Sequence, residues 1–353
     1  MKNRIDKIVK IDKIKRDSSF KKKGIYLFLS FFVVFFLSFL FLFYGPWDGF
    51  RNVWITSAMH TMSHQHYATW FYSDETIRKV LAMNRVVEVD GVSNRDDINV
   101  NDGTIGYANK YEKELLEKDA DNDLYKVIKI SGLGYRGFLV AIYDPSKISV
   151  ATTDYLGVTG QDALEVAKKE SALVVINASG FYDPNWNSNG SLPHGTVISG
   201  GVVVSDYADS DVGGGFIGFT NENKLVLGKM DRDQALELGY RDAIEFGPYL
   251  IINGKRSIFE GNGGWGLAPR TAIGQRRDGI VLLLVINGRL PSSIGASLVD
   301  LAEIMERYGA YNAANLDGGS SSVLVVDGKI VNTPVGGGEN GLRKLATFWV
   351  VKK

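Results

Sequence analysis

Four polar, glycine-bearing clusters hold the side chains with chemical potential. They are Asn177-Ala178-Ser179-Gly180-Phe181-Tyr182-Asp183, directly after the apolar run LVVI; Pro193-His194-Gly195-Thr196; Ala268-Pro269-Arg270-Thr271-Ala272-Ile273-Gly274; and Asn315-Leu316-Asp317-Gly318-Gly319-Ser320-Ser321-Ser322. Each alone reads as a turn, because strand ends use these residue types. Together they form a consistent set. A phosphate takes a bidentate cation (Arg270), backbone N–H groups freed by Gly318 and Gly319, and hydroxyls from Thr271, Ser320 and Ser321. Sugar hydroxyls take planar amides and carboxylates, which Asn177, Asn315 and Asp183 supply beside Gly180. Chemistry at an anomeric carbon needs a carboxylate that attacks it, stabilises its charge or activates water. Asp317 is the leading candidate and Glu245, before Phe246-Gly247-Pro248, the second; His194 is suited to proton transfer near neutral pH. The plainer reading of Asp317 is a turn residue capping its own backbone N–H groups.

Metal chemistry is less defined. Asp183, Asp206, Asp209 and Asp211 are oxygen donors of the kind a hard divalent cation takes, but Asp209 to Asp211 also read as a solvated loop. His60 and His64 are spaced i,i+4, with His66 beside them. That spacing fits either two ligands on one helix face or a polar interfacial helix. No motif demands a cofactor. The absence of cysteine removes disulfides, thiol catalysis and thiolate metal sites.

These clusters must be positioned by a glycine-punctuated β region. Strands are expected at 125–130, 138–143, 172–177, 201–205, 224–227, 249–252, 280–286, 323–326 and 346–351. Asn253-Gly254, Asn287-Gly288 and Asp327-Gly328 each carry the signature of a two-residue hairpin turn. Helices are expected at 107–118, 161–170, 231–238 and 297–308. The last has a capping-box start at Ser297 and Asp300, an apolar face from Leu298 to Tyr308, and a stop at Gly309. Strands outnumber helices without regular alternation, which predicts an α+β fold with a mixed sheet and few helices.

The chain has 353 residues and a formal net charge of zero, which conceals two unlike parts. Residues 1–23 form a basic head of net +7, and the remainder carries −7. An acidic body argues against a nucleic-acid partner. Between them, residues 25–44 read IYLFLSFFVVFFLSFLFLFY, uncharged and about 30 Å long as a helix, the thickness of a bilayer core. The run exceeds a signal-peptide core and ends in Tyr44-Gly45-Pro46-Trp47 without a small-residue cleavage site, so an uncleaved anchor is expected. Lys21, Lys22 and Lys23 then orient 1–23 to the cytoplasm and the body outside it. The expected divisions are a head (1–23), an anchor (24–44), a juxtamembrane stalk (45–125) and a catalytic domain (126–353).

The segments NASGFYD, PHGTVISGG, FGPYLIINGK, APRTAIGQRRDG and NLDGGSSS, in this order, resemble the phosphodiester glycosidase family over roughly residues 125–352. APRTAIG and NLDGG are the specific motifs. One departure is Ser320, where the family usually has a third glycine. The resemblance implies hydrolysis of a sugar-1-phosphodiester, releasing the sugar and leaving a phosphomonoester. A phosphate leaves readily, so charge neutralisation by Arg270 and backbone N–H groups can replace a strong general acid. With an extracytoplasmic body, the expected substrate is envelope or exopolysaccharide material. The alternatives are a non-catalytic glycan-binding module that stacks sugars on Tyr182, Trp186 and Trp265, or a scaffold of a polysaccharide export system that interacts through residues 45–125.

Overall fold

The computed structural model describes residues 2–61, 64–89, 91–100, 106–182, 189–207 and 215–353. It contains two compact units, Met1–Trp54 and Ile55–Lys353.

The first unit is dominated by one helix, Lys2–Tyr44. Its stretch Lys23–Tyr44 has a mean hydropathy of 2.7 and is long and apolar enough to cross a membrane. The helix ends where Gly45 N–H bonds the Phe41 carbonyl and Pro46 follows.

The second unit is α+β and sheet-rich, with few helices. Residues from 55 onward, set apart on sequence texture as a stalk, belong to this unit: strand Arg85–Val87 pairs with Ile258–Glu260. Three larger sheets form the body. The seven-stranded sheet runs Lys255–Arg256, Tyr249–Ile252, Ala310–Leu316, Arg270–Arg276, Val281–Ile286, Tyr135–Ile142, Tyr125–Gly132. One five-stranded sheet runs Val202–Tyr207, Gly195–Ser199, Tyr240–Phe246, Gly215–Thr220, Leu225–Gly228. The other runs Lys329–Ile330, Leu324–Val326, Ala172–Asn177, Thr347–Lys352, Ile148–Thr152. Every pairing among the described residues is antiparallel, because hairpins and returning loops connect the strands.

The sheets share one core and keep separate outer faces. Val174 and Ile176 point into the common core with Leu283, Ile217 and Trp349, while Val175 faces the opposite way. This two-residue alternation repeats across the unit. Helix Leu298–Arg307 covers the outer face of the seven-stranded sheet through Leu301, Ala302 and Met305. Ala163–Lys169 covers a second sheet through Val166 and Ala167, and Arg232–Leu238 a third through Ala235. All three helices start at a capping box, at Ser297, Asp162 and Asp231. Strands buried on both faces, such as VLLLVI at 281–286, need no polar alternation.

Two of the expected hairpin turns form, with positive φ at Asn253, Gly254, Asp327 and Gly328. The Asn287-Gly288 hairpin is not made. Asn287 N–H bonds the Arg136 carbonyl, Arg289 N–H bonds Ile294, and the positive φ of 58° falls on Arg289.

Candidate active site

The site is assembled where the seven-stranded sheet meets strand Ala172–Asn177. Register places Thr271 opposite Leu316, so Arg270 and Asp317 emerge at the same sheet end. Asp317 N–H bonds the Ala178 carbonyl at 3.1 Å. Asn177 links the parts: its Nδ2 donates to the Asp317 carbonyl at 2.5 Å, and its Oδ1 accepts from Thr271 Oγ1 at 2.8 Å and Val323 N at 3.2 Å. Asn177 and Thr271 are fully buried, and these bonds satisfy their polar atoms. The chain then tightens into the 3₁₀ turn Gly319–Ser321. Gly318 N–H returns to Asp317 Oδ1 at 2.9 Å, and Gly319, at φ 60°, bonds the Pro269 carbonyl at 2.8 Å. A side chain at 319 would meet the Arg289 guanidinium, so glycine serves both the φ angle and the space.

This turn borders a cavity of about 250 Å³. One wall carries Asp317, Gly318, Gly319 and Ser320 together with Arg270, Arg289 and Arg343; the other carries Ser57, His60, His64 and Trp265. Arg270 is held rigidly: Nε donates to the Ala296 carbonyl at 3.1 Å, and Nη2 to Trp265 and Gly266 at 2.6 and 2.8 Å. Its guanidinium lies 5.7 Å from the Trp265 ring centroid. Burial, and then the nearby Arg289, push its pKa down to about 10, so it stays charged at neutral pH. Arg289 is pushed down by burial and by Arg343, and its Nη1 donates to Ser320 Oγ at 3.1 Å. Cations gathered at mutual cost mark a place for an anion. Burial raises the Asp317 carboxyl to about 6, against the opposing pull of Ser321, Arg343 and the Gly318 N–H. Shifts of this kind concentrate at functional sites.

The cavity brings together Asp317, Arg270, Gly318, Gly319 and Ser320 from the sequence-predicted set. Ser321 bonds Asp317 from behind. Glu245 and His194 are outside its lining but close by. Glu245 Oε1 accepts Thr196 N–H at 3.2 Å, and His194 N–H bonds the Gly180 carbonyl at 3.0 Å. Gly180 is packed against Phe246, whose ring stands edge-on to Trp265 at 6.4 Å. Asn315 is fully buried, with Nδ2 on the Gly247 carbonyl at 2.9 Å and Oδ1 without a hydrogen-bond partner. Asp183, Trp186, Asp209 and Asp211 lie outside the described residues. Asp206 binds Thr196 Oγ1 and Arg232. Among the described residues, no group of three His, Asp or Glu is placed to hold a metal ion.

Arg289 and Arg343 enter the cavity without a local sequence signal, and His60 and His64, singled out by their spacing as candidate metal ligands, line it too. The helix Asp48–Met59 stops before His60, so His60 and His64 do not share a helical face. Instead the His60 ring stacks on Trp265, centroids 5.6 Å apart. Burial lowers its pKa, opposed by a bond to the Thr56 carbonyl and aided by Arg270, and the ring is neutral at pH 7. The segment before it is fastened to the 262–267 loop: Asn262 Nδ2 donates to Thr56 Oγ1 at 2.8 Å, and Leu267 N–H to Ser57 Oγ at 2.9 Å.

Comparison with known proteins matches residues 170–352 to the model of a family described as phosphodiester glycosidase. The chain belongs to the phosphodiester glycosidase family. Its relatives include an SPbeta prophage-derived uncharacterized protein of Bacillus subtilis, 33% identical over 54% of this chain and 30% of the relative. The N-acetylglucosamine-1-phosphodiester alpha-N-acetylglucosaminidase of Bos taurus is 28% identical over 40% of this chain and 29% of its own length. The chain thus spans about 30% of the length of these curated relatives. The zebrafish enzyme of the same name, solved as a catalytic domain auto-inhibited by its pro-peptide, shares the fold: TM-score 0.54 at 19% identity, covering 67% of this chain and 86% of that one.

Proposed function

We propose that this protein is a hydrolase that cleaves the bond between an anomeric carbon and a phosphodiester, and that it works at a membrane with its catalytic unit outside the cytoplasm. One observation carries the reading: a half-buried carboxyl, Asp317, shares a cavity with three arginines. The three arginines match the charge of a phosphodiester and of the phosphomonoester that leaves, whereas the Gly318 and Gly319 N–H groups expected to hold phosphate are bonded to Asp317 Oδ1 and to the Pro269 carbonyl. Asp317, ionised above about pH 6, acts at the anomeric carbon. Water supplies the oxygen that bonds this carbon, the carbon–oxygen bond to phosphate breaks, and its electron pair leaves on the phosphomonoester. Glu245, on strand Tyr240–Phe246 and packed against Gly195, and His194, which precedes that glycine, are the second carboxylate and the proton-transfer group in this scheme. The positive head and the apolar stretch Lys23–Tyr44 support a single-pass anchor with a cytoplasmic N-terminus. Envelope or exopolysaccharide sugar phosphates are the substrates that such a location offers.

The test is release of reducing sugar from a panel of sugar-1-phosphodiesters by the full chain in detergent, with and without a chelator. Hydrolysis that disappears in Asp317→Asn, with folding intact, supports the assignment. Near wild-type turnover by Asp317→Asn removes it, and saturable binding without product across the panel points to a glycan-binding module.

A further inference from the structure

We propose that residues 64–70 form a saccharide-binding platform that continues the cavity outward and receives the sugar rings of an extended substrate. The inference rests on the cavity being a sugar-phosphodiester site, and it adds the substrate class: a polymer rather than a small diester.

His64, Tyr67 and Trp70 recur every third residue around the helix His66–Thr69, close to one ring per turn. The rings contact one another in series. His64 stacks on Tyr67 at 5.7 Å with 14° between planes, and Tyr67 meets Trp70 edge-on at 5.7 Å. His66 fills the inner side, 4.3 Å from Tyr67 and 4.7 Å from Trp70. The set remains open to solvent: Trp70 is 68% exposed and Tyr67 42%. The helix beneath is anchored by buried Ala68 and Tyr72. A rigidly backed, exposed aromatic cluster is an unusual surface for a soluble unit and marks a contact site.

The occupant follows from continuity and composition. His64 belongs both to the cavity wall and to the aromatic series, so a molecule leaving the cavity on that side passes onto the rings. Gln65, His66 and Thr69 interleave hydrogen-bonding side chains with the rings along the chain, Gln65 Nε2 and Thr69 Oγ1 donating to the Met59 and His66 carbonyls at 3.4 Å. Apolar faces interleaved with such groups match a pyranose ring, which has an apolar face and a hydroxyl rim. A bilayer surface matches poorly. Residues 60–73 contain no lysine or arginine and are followed by Asp74 and Glu75, whereas segments lying on anionic lipid are basic.

The experiment uses the full chain in detergent micelles and a panel of uncharged, phosphate-free hexasaccharides of glucose, galactose and N-acetylglucosamine, followed by titration calorimetry. Binding of at least one hexasaccharide, weakened roughly tenfold or more by Trp70→Ala with Tyr67→Ala, is expected. Inorganic phosphate, directed to the arginine wall, leaves that binding in place. For a hydrolysed phosphodiester, the ratio of kcat/KM between polymer-extended and single-sugar forms falls by a similar factor in the double variant. The proposal is overturned if no hexasaccharide binds, or if binding is unchanged by the double variant. It is also overturned if, in nanodiscs, Trp70 emission shifts to the blue while sugars bind nowhere. Hexasaccharide binding needs no turnover. A chain that binds through Trp70 and hydrolyses nothing therefore keeps the platform and loses the hydrolase reading; hydrolysis without such binding does the reverse.

Discussion

Asn177 supports the backbone of Asp317 from below, giving its Nδ2 to the Asp317 carbonyl while Thr271 and Val323 occupy its Oδ1. One side chain thereby ties together strand Ala172–Asn177, strand Arg270–Arg276 and the turn that carries the carboxyl. Asn177→Ala leaves three buried polar groups without that partner and is expected to cost about 2–3 kcal/mol in urea unfolding. Because Asn177 holds Asp317 rather than substrate, kcat should fall at least about tenfold with little change in KM. A collapse of KM with unchanged kcat would instead make Asn177 a direct substrate ligand.

The raised pKa of Asp317 makes opposite predictions for stability and activity. Between the unfolded value of about 3.9 and the folded value of about 6, the native state holds a proton that the unfolded chain has released. Stability therefore declines as pH rises through that interval and stays lower above it. Asp317→Asn removes the cost and should be more stable at pH 7 by roughly 1–2 kcal/mol, allowing for solvent at the open edge of the cavity. Activity runs the other way. A working carboxylate gives kcat/KM an acid limb with a midpoint near pH 6. A rate that falls as pH rises through 6 would assign Asp317 as a proton donor.

Arg289 carries backbone strain at φ 58° while contributing to the cationic wall. Arg289→Gly releases about 1 kcal/mol of that strain and removes one positive charge. The variant is expected to melt no lower than wild type yet to bind inorganic phosphate several-fold more weakly, read by calorimetry at low salt. Equal phosphate affinity would take Arg289 out of the anion site.

Gly266 lies against Ser57 with φ 57°, where an added methyl group would collide with the Ser57 backbone and hydroxyl. Gly266→Ala should displace the 55–61 segment and separate His60 from Trp265. Thermal unfolding should come earlier, and hydrogen exchange should rise in residues 55–61. Gly263→Ala, with looser surroundings, is the milder comparison.

What could be read in the chain depended on how locally each feature is encoded. Helix Leu298–Arg307 announces itself through its cap, its apolar spacing and Gly309, all within a dozen residues. Strands Gly195–Ser199, Arg270–Arg276 and Ala310–Leu316 do not. They are buried along nearly their whole length yet carry Thr196, Gln275, Asn312 and Asn315, so neither alternation nor an unbroken apolar run marks them. The polar side chains of these strands are matched by hydrogen bonds from elsewhere, such as Gln275 Oε1 to Leu225 N–H. Their motifs therefore looked like turns. The same distinction applies at the cavity. Arg270, Asp317 and Gly318 to Ser320 sit in compact motifs, whereas Arg289, Arg343, His60 and His64 arrive on separate loops that only the fold brings together.

Strand Thr347–Lys352 lies between Ala172–Asn177 and Ile148–Thr152, and Phe348 is the register partner of Asn177. During synthesis the ribosome makes residues 148–177 long before 347–352. Until the later strand arrives, Asn177 lies on an open sheet edge, and Ser179 lacks Thr347, whose hydroxyl it bonds in the finished sheet. Closing such distant pairings is slow and comes late in folding. The apolar helix stretch Lys23–Tyr44 is synthesised well before the cavity can exist, so any step that uses this helix precedes assembly of the site by the order in which the polypeptide is made.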